Sequence, residues 1–257
     1  MRGAPAPGFS GAVAYYERYR LAYPDRLIAR LVRLAGLKPG DAVLDLGCGP
    51  AMLARAFARQ GMDVTAMDPE PDMLAEARKR AEAEGVAMTF VQGGSVELSA
   101  EMGPFRLVAM GRSFHWMDRA AALAKLEQIV TPNGGVALFH DAHPPVEENG
   151  WFKILCDAQA KVRGKRQSGG HKRYEPYLFA SAFQEIDNLS VTIRQALTVD
   201  DIVGRAFSMS AVSAHLSGPA REQFAQDLSA ALREWSPDGK FVEVAELVAV
   251  LARRPSR

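Results

Sequence analysis

A chain of 257 residues is long enough for one large α/β domain, and its apolar fraction of 48% is ordinary for a globular protein. The formal net charge of +1 argues against nucleic acid or a membrane surface as the main partner, because proteins that bind such partners usually carry an excess of basic residues. Cys48 and Cys156 are too few for a disulfide scaffold. The sequence has no apolar run of about 18 residues and no signal-peptide pattern, so we expect a cytoplasmic protein without a membrane span.

The chain begins with a segment, residues 1–10, that is rich in Gly, Pro and Ala and is predicted to be a mobile tail. Residues 11–36 are predicted to form N-terminal helices. They include Tyr15–Tyr23, where four tyrosines are interleaved with two arginines. Such side chains often cover a helix surface without binding anything, and the alternative is that this segment forms a lid over a ligand.

A strand, a tight turn and a helix follow in direct succession between Ala42 and Gly61. The apolar run Val43–Leu46 predicts a buried parallel strand, and Gly47 and Gly49 break it. Glycines between a strand and a helix let the backbone approach a ligand, with free helix N–H groups directed at it. We therefore expect a small-molecule site at this turn, although glycine also occurs in such turns for steric reasons alone.

A second apolar run ends in Asp68, at the predicted tip of the second strand of a βαβ unit. An acid at this point can accept both hydroxyl groups of a ribose, which predicts a nucleoside ligand. Asp45 would repel the pyrophosphate of a dinucleotide, but it would attract the ammonium and sulfonium of S-adenosylmethionine. Met52 also replaces the third glycine of the dinucleotide pattern. S-adenosylmethionine is favoured, and a nicotinamide-dependent oxidoreductase is the alternative.

The run Val43–Gly49, followed by Asp68, resembles the class I S-adenosylmethionine-dependent methyltransferases, and among them the small-molecule enzymes of the trans-aconitate methyltransferase type. Ser113–Trp116 and Thr131–Gly135 resemble the segments of this family at the fourth strand and before the fifth. The likeness covers residues 13–140. Two positions depart from the pattern: Ala51 replaces a third turn glycine, and Gly94 stands where many members have an aspartate that contacts adenine.

The resemblance implies an α/β fold with a Rossmann-like, doubly wound sheet of seven strands, mostly parallel with an antiparallel last strand, and a helical cap over the pocket. We expect one domain, 1–257, with a cofactor-binding core at 41–140, cap and substrate elements at 146–235 and the last strand at 241–251. Helices are predicted to start near Pro24, Ala51, Pro71, Asp118, Trp151, Thr198 and Pro219. Strands are predicted at 43–46, 64–67, 87–91, 105–110, 136–139, 190–198 and 241–251.

The resemblance also implies a set of cofactor contacts. Asp45, Gly47 and Gly49 are expected to hold the methionyl end, Asp68 the ribose, and Ser95 with Val96 the adenine. Arg20 is expected to meet the cofactor carboxylate from the lid. The complete predicted set is Tyr16, Arg20, Asp45, Gly47, Cys48, Gly49, Asp68, Pro69, Met73, Gly94, Ser95, Val96, Gly111, Arg112 and Ser113.

His115 and His140 follow the fourth and fifth predicted strands and are the candidate general bases, because imidazole titrates near neutrality. A structural role is equally open for His115 and Trp116, whereas His140, Asp141 and His143 could instead orient a polar substrate. A carboxylate acceptor would need no base. The predicted substrate contacts are Tyr19, His115, Trp116, Asp141 and His143. No metal is predicted, because no further Cys or acid cluster lies at ligand spacing.

The basic run between Lys161 and Arg173 is predicted to be a solvated loop, with an anion clamp as the alternative. The predicted reaction is transfer of a methyl group from S-adenosylmethionine to a small-molecule acceptor, with S-adenosylhomocysteine as product. A third hypothesis is a non-catalytic partner protein that keeps the nucleoside site. The sequence specifies neither the acceptor nor the oligomeric state.

Overall fold

The structure, a computed structural model, describes residues 13–163, 174–213 and 215–255. Its α-helices are α1 (Val13–Tyr19), α2 (Asp25–Leu34), α3 (Met52–Arg59), α4 (Pro71–Glu84), α5 (Arg119–Ile129), α6 (Gly150–Arg163), α7 (Glu175–Phe179), α8 (Val199–Phe207), α9 (Ser210–Ser213) and α10 (Gly218–Trp235). Its strands are β1 (Ala42–Leu46), β2 (Asp63–Asp68), β3 (Thr89–Gln92), β4 (Phe105–Gly111), β5 (Val130–Ala142), β6 (Glu185–Thr198) and β7 (Lys240–Arg253). The described helices include none that is long and apolar enough to cross a membrane.

The seven strands form one sheet in the order β3-β2-β1-β4-β5-β7-β6. Neighbouring strands from β3 to β5 are parallel, and β7 is antiparallel to β5 and β6. This confirms the predicted Rossmann-like sheet. Because β1, β2 and β4 are parallel neighbours, the residues that follow them meet at one edge, where α/β sheets of this kind bind ligands.

The central strands are buried on both faces, as their continuous apolar runs predict. Val43, Leu44 and Leu46 of β1 are fully buried, and so are Leu107 and Val108 of β4. Apolar faces of α3 and α4 also pack inward, with Phe57 and Ala77 fully buried. These contacts hold the carboxyl ends of the strands in a fixed place, where the turns described below begin.

The chain divides into two compact units. The core unit comprises residues 22–140, 171–191 and 247–257, and the helical unit comprises 1–21, 141–170 and 192–246. Each has its own apolar cluster, with Phe105 and Leu138 in the core unit and Trp151 and Phe207 in the helical unit. The predictions of a single domain and of a cap that roofs the pocket remain predictions. The predicted tail and the basic residues Lys165, Arg166, Lys172 and Arg173 lie outside the described residues.

The caps follow the sequence closely. The Asp118 side chain accepts a hydrogen bond from Ala121 N (3.1 Å) at the start of α5. Thr198 and Asp201 form the predicted capping box of α8. Gly85 ends α4 in a left-handed conformation, as a C-terminal glycine often does.

Several strand boundaries were predicted wrongly, among them the carboxyl end of β5, which lies at Ala142 rather than at residue 139. Residues 131–135 were predicted as a turn before the fifth strand, but β5 already begins at Val130. Phe105 of β4 pairs with Val130 and Leu107 pairs with Gly135, so the register shifts between these two pairs and the intervening residues of β5 bulge. The Arg106 guanidinium donates a hydrogen bond to Asn133 O in this bulge. β3 starts two residues later than predicted. β6 begins at Glu185 rather than at residue 190, and Arg253 of β7 forms ion pairs with Glu185 and Asp187 in this additional segment.

Candidate functional site

The turn between β1 and α3 has the conformation that its glycines allow. Gly47 and Gly49 have φ of 74° and 55°, in the left-handed region that favours glycine. The N–H groups of Gly47 and Cys48 both donate to Met67 O, at 2.8 and 3.0 Å, so the turn is tied to the end of β2. At Gly49 an added Cβ would meet nothing within 4 Å. The turn is therefore rigid and opens into free space at its middle.

Ala51 explains why a third glycine is usual at this position. Its φ of 63° is left-handed, which strains any residue with a Cβ, and its side chain is fully buried at the start of α3. Alanine has the smallest side chain that carries a Cβ, so the departure from the family pattern keeps the turn at a cost of strain.

Asp45, the penultimate residue of β1, is a buried acid, with 1% of its surface exposed. Its Oδ2 accepts a hydrogen bond from Ala54 N (2.9 Å) in the first turn of α3. Its Oδ1 is buried and has no hydrogen-bond partner among the described residues. Burial raises the pKa of Asp45 to about 7, against the Ala54 hydrogen bond that lowers it and with a smaller contribution from the charge of Asp68. The oxygen is thus available for a cationic or hydrogen-bonding ligand.

Asp68 lies beside the same turn at the end of β2. Its Oδ2 accepts from Gly49 N (2.8 Å), and its Oδ1 accepts from Glu70 N (2.9 Å). Burial raises its pKa, while these two backbone hydrogen bonds lower it. A carboxylate has about four acceptor positions, so each oxygen keeps one for a ligand hydroxyl.

The loop after β3 carries the predicted adenine contacts. Gly94 N donates to Glu97 Oε2 (2.8 Å), and Ser95 and Val96 lie in the turn that this bond closes. Val96 is 79% exposed, so an apolar side chain is available there for a planar ring. Pro69 lies next to Gly94, about 4.0 Å from the position of an added Cβ, and Met73 is buried in α4.

The exit of β4 packs against the glycine turn. Ser113 is buried, and its hydroxyl donates to Leu46 O (2.6 Å). Gly111 lies against Tyr23, whose Oη is 2.8 Å from the position of an added Cβ. Arg112 has a left-handed φ of 57°, and its guanidinium lies over the Tyr23 ring, 4.7 Å from the centroid. Tyr23 was not among the predicted site residues.

The candidate bases of the core unit lie in aromatic surroundings. The ring centroids of His115 and Trp116 are 4.9 Å apart, and Trp116 is 48% exposed. His140 lies within β5, two residues before its last residue, and its ring is edge-on to Tyr174 (6.0 Å), which in turn packs edge-on against Phe114 (5.6 Å). Tyr174 was not among the predicted site residues. Whether either histidine acts as a base stays a prediction.

Five predicted residues belong to the helical unit, namely Tyr16, Tyr19, Arg20, Asp141 and His143. Arg20 lies over the Tyr16 ring (5.2 Å), and its guanidinium donates to Ser208 O at 3.3 Å. The Tyr19 ring packs on the backbone of Gly204, where an added Cβ would lie 2.4 Å away. Asp141 is partly buried. The cofactor and substrate roles of these residues remain predictions.

His143 belongs to a buried ionic cluster that the sequence reading missed. Glu243 is fully buried. Its carboxylate accepts hydrogen bonds from both terminal nitrogens of Arg205, from Gln195 Nε2 (2.8 Å) and from His143 Nε2 (2.6 Å). Burial raises the pKa of Glu243, but the hydrogen bonds from His143 and Arg205 outweigh it and lower the pKa to about 2. Phe152 stacks on the imidazole (3.9 Å). One signal was present: the alternation of β7 places Glu243 on the same face as Phe241 and Ala245.

The described residues contain no group of three or more His, Cys, Asp or Glu side chains placed to hold a metal ion. A mostly parallel sheet with an antiparallel β7, a glycine turn after β1 and an acid at the end of β2 match the Rossmann-like methyltransferase fold.

Comparison with known proteins agrees with this class. Residues 43–134 match the family described as methyltransferase domain. An uncharacterized methyltransferase of Mycobacterium tuberculosis strain H37Rv is 31% identical over 147 residues, covering 57% of this chain and 56% of the relative. The ubiquinone biosynthesis O-methyltransferase of Methylocella silvestris is 34% identical over 139 residues, 50% of this chain and 54% of that protein. The chain thus spans about half the length of these relatives.

Among solved structures, phosphoethanolamine N-methyltransferase 2 of Haemonchus contortus, in complex with phosphomonomethylethanolamine and S-adenosylhomocysteine, superposes with a TM-score of 0.56. The sequences are 18% identical, and the match covers 96% of this chain and 58% of that chain, so the likeness is one of fold. Residues 43–134 thus resemble a methyltransferase domain in sequence, and these likenesses support the class I methyltransferases, which depend on S-adenosylmethionine, as the class that the chain resembles.

Proposed function

We propose that the protein binds S-adenosylmethionine at the turn between β1 and α3 and transfers its methyl group to a small-molecule acceptor. The observation that carries the proposal is Asp45 Oδ1, a buried carboxylate oxygen without a partner among the described residues. Such an oxygen is costly unless a ligand occupies it. The ammonium of the methionyl group is a ligand of the right charge, whereas a pyrophosphate is not.

The neighbouring residues support the same ligand. Gly49 leaves open space at the middle of the turn, so a ligand can approach the backbone there. Asp68 keeps acceptor positions for the two ribose hydroxyls. Ser95 and the exposed Val96 would meet the adenine. Arg20 remains the proposed partner of the cofactor carboxylate.

When bound, S-adenosylmethionine supplies a methyl group that is electrophilic without further activation. The remaining task of the chain is to orient an acceptor in line with the carbon–sulfur bond and to exclude water. If the acceptor must lose a proton, His115 or His140 would accept it, and Trp116 would cover the acceptor beside His115. Asp141, His143 and Tyr19 stay proposed substrate contacts.

A small-molecule acceptor is supported by the relatives. The Methylocella protein is named for ubiquinone biosynthesis, and the Haemonchus structure contains phosphomonomethylethanolamine. Neither identifies the acceptor of this chain.

Isothermal calorimetry with S-adenosylhomocysteine and, in parallel, with NAD tests the proposal. We expect saturable binding of S-adenosylhomocysteine and none of NAD; the reverse result would overturn the assignment. Incubation with methyl-labelled S-adenosylmethionine and a small-molecule extract should then label a compound of low mass. Binding without any labelled compound would point to a non-catalytic partner protein.

A further inference from the structure

The turn between β1 and α3, named here the cofactor turn, lies beside two buried acids, and neither acid has a cationic partner among the described residues. Asp45 and Asp68 are 1% and 7% exposed, and their recorded hydrogen bonds come from backbone N–H groups of Ala54, Gly49 and Glu70. Among the described residues, no Lys, Arg or His side chain forms an ion pair with either carboxylate. A second negative charge in such surroundings is unfavourable, because burial and the neighbouring carboxylate both oppose it.

The elements packed around Asp45, within the part of the chain that the structure describes, offer it no compensating charge. In register it faces Ala66 on β2 and Ala109 on β4, both apolar. The nearest basic residue of α3, Arg55, is engaged in an ion pair with Glu84. Cys48 in the turn stays neutral, since burial and the two acids raise the pKa of its thiol well above the ordinary value. At the exit of β4, Arg112 lies over Tyr23.

The position of the proton follows from the hydrogen bonds. Oδ2 of Asp45 accepts from Ala54 N, so it acts as an acceptor, and Oδ1 is the atom that carries the proton in the neutral acid. With a pKa that burial raises to about 7, Asp45 is divided between its neutral and ionised forms near neutral pH. An ammonium at Oδ1 would stabilise only the ionised form.

We propose that ligands with an ammonium group displace the proton of Asp45 when they bind at this turn, so that cofactor uptake is coupled to proton release. This inference rests on the proposed function. In the step, the O–H bond at Oδ1 breaks, its proton passes to solvent, and the ammonium keeps its three protons and pairs with the carboxylate. Affinity for the cofactor therefore rises with pH until Asp45 is fully ionised and is constant above that point.

The test is calorimetric titration of the wild-type protein with S-adenosylhomocysteine at pH 7, in phosphate and in Tris, two buffers with different ionisation enthalpies. We expect the binding heats in the two buffers to differ. The difference, divided by the difference in buffer ionisation enthalpy, should correspond to release of a fraction of one proton per site. The dissociation constant should fall about fivefold to tenfold between pH 6 and pH 7 and then level off, as a single linked proton requires. Equal heats in both buffers and a constant affinity over this range would overturn the proposal.

Methylthioadenosine serves as the matched ligand, because it has the nucleoside and the thioether but no ammonium. It should bind with no buffer-dependent heat; proton release on its binding would assign the proton to another group and also overturn the proposal. If S-adenosylhomocysteine fails to bind at every pH, the proposed function itself fails. If it binds without proton release, only the coupling fails.

Two variants complete the design. Asp45→Asn keeps an oxygen that can accept from Ala54 N and should bind S-adenosylhomocysteine more weakly, with an affinity independent of pH. Asp41→Asn changes a carboxylate at the opposite end of β1, which accepts from Lys38 N, and should retain the wild-type pH dependence. Loss of the pH dependence in Asp41→Asn, or its persistence in Asp45→Asn, would contradict the assignment to Asp45.

Discussion

Ser113 lies directly against the backbone of Gly47. A Cβ built on Gly47 would be 2.5 Å from Ser113 Cβ and 2.9 Å from its Oγ. The Ser113 hydroxyl donates a hydrogen bond to the carbonyl oxygen of Leu46, the residue before Gly47, at 2.6 Å. The exit of β4 thus fixes the start of the cofactor turn, and the absence of a side chain at Gly47 is a packing requirement as well as a backbone one.

This contact predicts a large difference between two neighbouring glycines. Gly47→Ala should destabilise the protein by about 3 kcal/mol, because overpacking adds to left-handed strain. Gly49→Ala meets open space and should cost only the strain, about 1 kcal/mol, although its methyl group would enter the ligand space and weaken binding of S-adenosylhomocysteine. Urea unfolding measures both. Adding Ser113→Gly should recover part of the loss in Gly47→Ala, and similar losses for the two alanine variants would refute the packing argument.

The raised pKa of Asp45 also predicts how the stability of the ligand-free protein depends on pH. The folded-state pKa of about 7 lies above the ordinary value of 3.8, so the stability that the neutral acid preserves is lost as pH rises between these values. Asp45→Asn has no such proton to lose. Its unfolding free energy relative to the wild type should therefore increase by on the order of 3 kcal/mol from pH 4.5 to pH 7.5.

Urea titrations of the two proteins at both pH values give this difference, because the contributions of groups distant from Asp45 cancel, whereas Asp68 and Cys48 interact with its charge. A difference that does not change with pH would mean that Asp45 ionises normally in the fold. If the expected difference is found, the variant combines weaker cofactor binding with greater stability at neutral pH, as is common for residues kept for function.

The parts of the site that the sequence predicts are local ones. Asp45, the glycines and Asp68 lie within short strand-turn-helix patterns, and each pattern specifies where its own side chains point. Tyr23 and Tyr174 could not be found in this way, because their contacts with Gly111 and His140 join distant parts of the chain. The bulge in β5 was also missed, since its Thr-Pro-Asn-Gly-Gly composition is typical of a turn.

The ionic cluster of the helical unit was missed for a similar reason. Arg205 and Glu243 are 38 residues apart, and only the folded chain pairs them. The two-residue alternation of β7 does place Glu243 on the buried face, and a buried acid needs a partner, but the sequence does not say which of the many arginines it is.

Glu243→Gln should be strongly destabilising, by about 3 to 5 kcal/mol, because it leaves Arg205 buried without a counter-charge. The folded-state pKa of about 2 lies below the ordinary value of 4.5, so this stabilisation is complete above the ordinary value and is lost as pH falls from there toward 2. The wild type should therefore lose its advantage over the variant in this acid range. Glu246→Gln, on the same strand and partly exposed, is the matched control and should change stability by less than about 0.5 kcal/mol. Equal effects of the two substitutions would show that the cluster contributes little.

Asp68 and Asp45 should differ in which part of the ligand they recognise. Both Asp68 oxygens accept backbone N–H groups, from Gly49 and Glu70, and the amide of Asp68→Asn has only one acceptor oxygen. One N–H then loses its partner and the ribose hydroxyls lose a charged acceptor, so we expect affinity to fall by about 10-fold to 100-fold. The loss should be equal for S-adenosylhomocysteine and methylthioadenosine, since both have the ribose. Asp45→Asn should weaken binding of S-adenosylhomocysteine alone.

Glu70→Gln, which changes the neighbouring acid without removing the backbone donor, is the control. Calorimetry of the two ligands with the three variants separates the contacts, and a loss in Asp68→Asn confined to S-adenosylhomocysteine would move Asp68 from the ribose to the amino-acid end.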